Sequence, residues 1–183
     1  AHISGLAGWI PFYAKTMTDD RRPKQSKKYY RTSLSDSFNI EIQPNLYMRY
    51  DYQDTIWRRI FSSQLRETNN YRYSDLAFYI LNRKIKNISG YQVDQYAKQH
   101  FYDPLGLKKT MFNPLEKIDA KFIPPTEKDD YFRLNTVQGR VHDMGAAMLD
   151  GISGHAGLFS NGYDLTVLMQ MLLNKGYYGG RQY

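Results

Sequence analysis

The strongest constraint on this chain is the stretch 70–81, where polar turn residues lead directly into a helical pattern. Tyr73, Ser74 and Asp75 stand at the junction, and apolar residues then recur at helical spacing as far as Gly90. Glycine takes the left-handed conformation without a Cβ penalty, so Gly90 is expected to end this helix. A tyrosine held just before a helix start can present its hydroxyl to a cleft. The competing interpretation is a buried tyrosine beside an N-cap.

Three further segments show helical periodicity. One begins at Asp51 or Asp54, one runs from about 91 to 101, and one begins after Ser160 or Asn161 and ends at Gly176. In the last helix the apolar stripe comprises Leu165, Leu168, Met169, Leu172 and Leu173. Because few other segments show the alternation typical of strands, the sequence predicts a mainly α fold.

A length of 183 residues suits one domain or a large part of one. We divide this single partial domain into an irregular, loop-rich segment (1–50), a helical core (51–113), extended and glycine-rich cleft loops (114–160) and a terminal helix (161–175). The chain opens without a Met or a signal-peptide pattern, so we expect its start to be cut.

Composition excludes several classes of function. The net charge of +7 invites a nucleic-acid interpretation, but much of the excess lies in the proline-containing run 21–28, which we interpret as a solvated loop. No nucleic-acid partner is therefore expected. The absence of cysteine excludes disulfides, thiolate metal sites and cysteine nucleophiles. No apolar run approaches the roughly 20 residues of a membrane-spanning helix, so no transmembrane segment is expected.

Several short motifs follow one another in an order that resembles a known family. Tyr73-Ser74-Asp75 is similar to a Tyr-x-Asn element, and His2-Ile3-Ser4-Gly5-Leu6 resembles His-Thr-Ser-Gly-Leu. Further matches are Ser89-Gly90, Asp103-Pro104-Leu105-Gly106, Met111-Phe112-Asn113-Pro114 and Gly154-His155-Ala156-Gly157. Together they resemble the serine β-lactamase-like hydrolases, which include class C β-lactamases, D-Ala-D-Ala peptidases and related esterases. The details resemble most the domain that follows family 3 glycoside hydrolases in Bacteroidetes-type bacteria.

The resemblance implies the helical region of a β-lactamase/transpeptidase-like fold with most of its antiparallel sheet missing. It also implies acyl transfer, in which the serine of Ser-x-x-Lys attacks a carbonyl while lysine and tyrosine move its proton. Tyr73 and Asp75 then match catalytic positions. Asp75 departs from the usual asparagine, and an ionised carboxylate cannot donate a hydrogen bond to a carbonyl oxygen.

Two elements of that chemistry are missing from the chain. No serine is followed three positions later by lysine, and the family's Lys/His-Thr/Ser-Gly strand element is expected beyond Tyr183. His155-Ala156-Gly157 precedes the last helix and therefore does not match that element. We expect an internal fragment that does not hydrolyse nitrocefin or p-nitrophenyl acetate alone.

The same resemblance places His155, Ser74 and Thr126 along the substrate cleft. His142 and His155 lack the ligand spacing of a metal site, so we expect no metal, and the sequence indicates no cofactor. Asp150 stands where glycine is expected in the most similar branch.

Two functions stay open. The first is a fragment of an acyl hydrolase acting on β-lactam, D-Ala-D-Ala peptide or ester substrates in the periplasm or at the cell surface. The second is a non-catalytic accessory domain attached to a cell-wall or glycan-degrading glycosidase. In either case the apolar surface left by the missing sheet is expected to favour self-association.

Overall fold

The structure is a computed structural model that describes residues 2–66 and 70–183. Residue 1, which belongs to the predicted loop-rich segment, and residues 67–69 lie outside the described residues. The expectation of a mainly α fold is wrong, because 34% of the chain is helical and 18% is strand. The strands form several small antiparallel sheets. Three of the strands arise in the segment 1–50, for which the sequence predicts irregular chain.

The largest sheet has three antiparallel strands in the order β1–β3–β2. They are β1 (Tyr30–Arg31), β2 (Phe38–Gln43) and β3 (Leu46–Arg49). In β2 the apolar side chains alternate along Phe38, Ile40 and Ile42, and Asn45 takes a left-handed φ of 62° in the turn to β3. Alternation followed by a turn residue that tolerates this conformation is a hairpin signal, and it is present in the sequence.

The helices are α1 (Tyr52–Phe61), α2 (Leu76–Ser89), α3 (Val93–Ala97), α4 (Met144–Ala147) and α5 (Gly162–Leu173). A π-helical turn, Lys98–Tyr102, continues α3. The predicted end of α2 is confirmed, since Gly90 follows the helix with φ 79°. The predicted cap of α5 is also confirmed, because the Asn161 side chain accepts a hydrogen bond from the backbone N–H of Asp164 at 2.8 Å. Within residues 2–66 and 70–183 no helix is long and apolar enough to cross a bilayer.

The described residues also form three two-stranded sheets. They pair β4 (Met111–Phe112) with β7 (Leu158–Phe159), β5 (Pro125–Asp129) with β6 (Asn135–Gln138), and β8 (Tyr177–Tyr178) with β9 (Arg181–Gln182). The first pair matters most for the site, because Met111 lies opposite Phe159 in its register. It therefore joins the Asn-Pro motif to the end of the glycine-rich loop.

The main core lies where α1, α2, α4 and the three-stranded sheet meet. Its members include Ile42, Met48, Ile56, Ile60, Leu76, Tyr79, Phe132 and Met148. A smaller core holds α5 to the loop at 105–107 through Val167 and Met171. The predicted stripe of α5 is largely exposed instead, with Leu172 at 56% and Leu173 at 78%.

Arg133 is a fully buried cation that ties the β5–β6 hairpin to the segment before α4. Its guanidinium donates to the carboxylate of Asp129 at 2.7 Å and to the carbonyl of Val141 at 2.6 Å, and it also bonds the carbonyl of His142. Burial disfavours the charged form of Asp129, but hydrogen bonds from backbone N–H groups and from Arg133 outweigh it, so the pKa of Asp129 lies below its ordinary value.

Replacing Arg133 by Met should lower the free energy of unfolding by about 3–5 kcal/mol, because the Asp129 carboxylate would remain buried without its counter-charge. Chemical denaturation monitored by circular dichroism measures this loss. The matched control is Lys128→Met on the same hairpin, where the side chain is 80% exposed. Its effect should stay within about 0.5 kcal/mol. Equal effects of the two substitutions would contradict the structural role of Arg133.

Candidate active site

Tyr73 lies where the N-terminal segment runs beside the turn that precedes α2. The backbone N–H of Arg72 donates to the carbonyl of His2 at 2.9 Å, and the backbone N–H of Asp75 donates to the carbonyl of Gly8 at 3.0 Å. These bonds fix the backbone on both sides of Tyr73 while its side chain stays 60% exposed. The interpretation as a buried tyrosine beside an N-cap therefore does not describe Tyr73.

Ser74 is the buried member of the element. Its hydroxyl donates to the carbonyl of Ala7 at 2.7 Å, and its backbone N–H donates to Nδ1 of His2 at 3.2 Å. Both groups are thus used to hold the N-terminal segment against the start of α2. Ser74 is fully buried, so the Ser74 hydroxyl is not accessible to solvent.

His2 is a neighbour of Tyr73 to which the sequence assigned no role of its own. The two rings stack with centroids 4.5 Å apart and an interplanar angle of 27°. Because Nδ1 of His2 accepts from the Ser74 N–H, the neutral ring carries its proton on Nε2. His2 also has a left-handed φ of 51°, an uncommon conformation for a residue with a Cβ. The motif at residues 2–6 is the only signal in the sequence that points towards this contact.

The pKa of Tyr73 lies above its ordinary value. The Asp75 carboxylate, as a hydrogen-bond acceptor that favours the neutral phenol and through its charge, is the main cause, and the charge of Asp143 acts more weakly in the same direction. Tyr73 is therefore a phenol at neutral pH and a proton donor. It becomes a base only when a cation offsets these carboxylates.

Asp143 and His155 form the second polar pair of the site. Nε2 of His155 lies 2.9 Å from Oδ1 of Asp143, and Nδ1 lies 2.9 Å from the Ser153 hydroxyl. Oδ1 of Asp143 also accepts the backbone N–H of Ala146 at 2.7 Å and so caps α4. Burial disfavours the charged form of Asp143, but the hydrogen bond and charge of His155 and the N–H groups of α4 outweigh it. The pKa of Asp143 therefore lies below its ordinary value.

The Ser153–His155–Asp143 chain differs from the triad of a serine hydrolase. In such a triad the serine bonds Nε2 and the aspartate bonds Nδ1, whereas here the two nitrogens are exchanged. Ser153 is also only 3% exposed. In this conformation the chain orders the glycine-rich loop and offers no accessible nucleophile.

The ring of Tyr79 packs against the ring of His155. Their rings stack with centroids 4.2 Å apart and an interplanar angle of 19°. Burial, reinforced by the charges of Asp143 and Asp75, raises the pKa of Tyr79 far above its ordinary value. Gly145 makes room for it, because a Cβ there would lie 1.9 Å from the Tyr79 hydroxyl. The sequence indicated neither Tyr79 nor Asp143 as a partner of His155, since these contacts join positions far apart in the chain.

The glycines of the loop at 151–157 allow it to lie directly against its neighbours. A Cβ at Gly154 would lie 2.4 Å from the carbonyl oxygen of Phe78 in α2. One at Gly157, where φ is 114°, would lie 2.2 Å from the carbonyl oxygen of Gly151. Such distances exclude any side chain, so the position of His155 depends on glycine at both places.

Asp150 takes a left-handed φ of 64° just after α4. This conformation explains why glycine is expected at this position, since glycine adopts it without strain. Aspartate tolerates it better than most residues. Burial, opposed by the charge of Arg140, raises the pKa of the Asp150 carboxyl. Both its backbone conformation and its charge therefore oppose folding at neutral pH.

Thr126 lies apart from Tyr73, on the wall of a cavity of about 380 Å³ that Asp143, His142 and Ala156 also line. Its hydroxyl is 3.1 Å from the carbonyl oxygens of both Val137 and Arg140, and it donates within the β5–β6 hairpin. In the described parts of the chain no three His, Cys, Asp or Glu side chains converge as metal ligands would.

The tyrosine before α2, the Asn-Pro strand and the glycine-rich loop that packs on α2 together define a β-lactamase-like hydrolase region. A family model described as Beta-lactamase matches residues 2–182, so the chain belongs to the β-lactamase family. The predicted resemblance to this family is confirmed.

Curated relatives share much of the chain. The N-acetylmuramyl-L-alanine amidase of Bacillus subtilis (strain 168) is 34% identical over 189 residues, which cover 97% of this chain and 37% of that protein. Putative D-alanyl-D-alanine carboxypeptidases of Salmonella paratyphi B and Salmonella newport are each 44% identical over 119 residues, which cover 58% of this chain and 28% of theirs. The chain thus spans less than two fifths of the length of these relatives.

Replacing Asp75 by Asn should lower the pKa of Tyr73 towards the ordinary value of about 10, because the largest cause of the increase is removed. Titration of proteins labelled with ¹³Cζ-tyrosine, with the signal assigned through Tyr73→Phe, measures the change. Asp54→Asn, in the first turn of α1, is the control and should leave that signal unchanged. An unchanged titration in Asp75→Asn would contradict the proposed contact.

Replacing Asp150 by Gly should raise the free energy of unfolding by up to about 1 kcal/mol at neutral pH, through relief of the left-handed strain. Asp150→Asn keeps the strain but removes the charge. A carboxyl whose pKa is raised by folding favours the folded state only when protonated, so the benefit of Asn should grow as pH rises above about 4. Urea denaturation between pH 4 and 8 measures both effects, with exposed Asp130→Asn as the control. A destabilised Asp150→Gly would contradict this account.

Proposed function

We propose that this chain supplies the tyrosine-bearing wall of the active site of a serine acyl hydrolase. The observation that carries the proposal is Tyr73 itself. It is exposed and fixed through its backbone at the start of α2, and the carboxylates of Asp75 and Asp143 raise its pKa. Membership of the β-lactamase family supports the assignment.

In this proposal the nucleophilic serine, its lysine and the oxyanion donors come from residues outside these 183. Asp75 accepts a hydrogen bond from the lysine ammonium, and the positive charge offsets the carboxylates near Tyr73. With the lysine held as an ammonium, Tyr73 reacts as the phenolate, and its oxygen takes the serine proton as the serine oxygen attacks the carbonyl carbon. The same proton is returned to the leaving group when the acyl-enzyme forms. The 183-residue chain alone is accordingly proposed to be inactive.

Asp75 also bears on substrate choice. An ionised carboxylate accepts hydrogen bonds and cannot donate one to the substrate carbonyl, which disfavours ordinary β-lactam recognition. Among the acyl substrates we favour peptide amides of the peptidoglycan type, with esters as the second class. The names of the amidase and carboxypeptidase relatives support this choice, and they support a location outside the cytoplasm, either periplasmic or at the cell surface.

Tyr73→Phe in the protein made from the complete reading frame should lower kcat/KM by about 100- to 10,000-fold, as expected for loss of a proton-transfer group. Hydrolysis of nitrocefin, p-nitrophenyl acetate, an N-acetylmuramyl-L-alanine peptide and a D-Ala-D-Ala peptide is measured side by side. Tyr71→Phe, two positions earlier and 72% exposed, is the matched control and should retain activity.

A second candidate is an accessory domain beside a glycosidase of the Bacteroidetes-type arrangement. The acidic residue at position 75 and the lack of Ser-x-x-Lys in the chain are the two observations that favour it. A full-length protein that hydrolyses none of the four substrates but binds a glycan polymer would support this candidate and exclude the hydrolase.

Turnover by the 183-residue chain that is lost in Tyr73→Phe would overturn the proposed need for a nucleophile from outside the chain.

A further inference from the structure

A cavity beside Asp143 adjoins a second, apolar cavity. The cavity of about 380 Å³ beside Asp143 shares three lining residues, Thr126, Phe159 and Ser160, with a second cavity of about 370 Å³. The shared residues make the two cavities neighbours, and the two together are called the groove. The combined space is large enough for a small organic molecule.

The second cavity is an apolar pocket built by segments on opposite sides. Pro114 and Ile118 contribute from the segment after β4, Ile123 precedes β5, and Phe159 closes the pocket from β7. Ile123 is 7% exposed, so its side chain is held in place. An apolar group that enters this pocket is removed from water, which favours its binding.

Lys109 is the one charged residue that lines the apolar pocket, and no carboxylate from the described residues lines it. Within the same part of the chain the Lys109 ammonium forms no ion pair, and its backbone N–H is anchored by the Asp164 carboxylate at 2.7 Å. The groove is therefore acidic at the Asp143 end and basic at the Lys109 end. This polarity fits a ligand with hydrogen-bond donors at one end and a carboxylate at the other.

We propose that this groove binds the non-reacting part of the substrate, an apolar group that ends in a carboxylate, with the carboxylate at Lys109. The inference rests on the proposed function, because Asp143, which lines the groove, also binds His155 of the candidate active site. The carboxylate of the ligand is repelled by Asp143 and attracted by Lys109, and this difference sets the direction in which the substrate lies.

The test uses two probes of the same shape and opposite charge, 4-phenylbutyrate and 4-phenylbutylamine. Each is titrated into the protein made from the complete reading frame, with isoleucine δ1 methyls observed by NMR. Ile118→Val and Ile123→Val assign the two signals. We expect 4-phenylbutyrate to shift both methyls saturably and more tightly than the amine.

Lys109→Met should weaken 4-phenylbutyrate binding by about two- to fivefold, the range for one exposed ion pair. Its neighbour Lys108 is exposed, does not line the pocket and provides the matched control, Lys108→Met. Unshifted methyls, equal affinity for both probes, or equal effects of the two lysine substitutions would overturn the proposal.

The same titration in Tyr73→Phe separates the two proposals. Binding that persists while Tyr73→Phe keeps full hydrolytic activity would overturn the proposed function and leave the groove assignment standing. Lost activity in Tyr73→Phe without binding of 4-phenylbutyrate to the active protein would overturn the groove assignment alone.

Discussion

The buried Arg133 guanidinium is the interaction on which the site depends most. It neutralises Asp129 inside the β5–β6 hairpin and holds the carbonyls of Val141 and His142. Those carbonyls directly precede Asp143, so the hairpin determines where that carboxylate lies. Asp143 in turn caps α4 and binds His155. A buried cation with every partner in place thus links a short sheet to the polar residues of the cleft.

The carboxylates of Asp75 and Asp143 set the electrostatics of Tyr73. Asp75 and Asp143 both raise the pKa of Tyr73, and the buried Tyr79 responds to the same two charges. Such a site favours the phenol and attracts an ammonium group. This electrostatic preference is the physical basis for proposing that a lysine from outside the chain completes the chemistry.

The helices followed from local signals, whereas the sheets and the pairing of site residues did not. The start and end of α2 and the Asn161 cap of α5 could be predicted, because periodicity and capping act over a few neighbouring residues. The hairpin of β2 and β3 carries a readable alternation, although the segment was expected to be irregular. The β5–β6 hairpin could not be found, because its stability comes from the buried ion pair at Arg133 and not from an apolar pattern.

The sequence by itself determined the family, the helix that follows Tyr73 and the presence of Asp75 in place of the family's usual asparagine, because residue identities and short spacings are local properties. Only the tertiary structure decided that His2 stacks on Tyr73, that Ser74 is buried and that Asp143 holds His155. These contacts join residues up to 72 positions apart. Contacts between residues this far apart in the sequence depend on how the whole chain folds, and no local sequence pattern encodes them. The burial and the charge environment of the site residues are therefore properties of the tertiary structure.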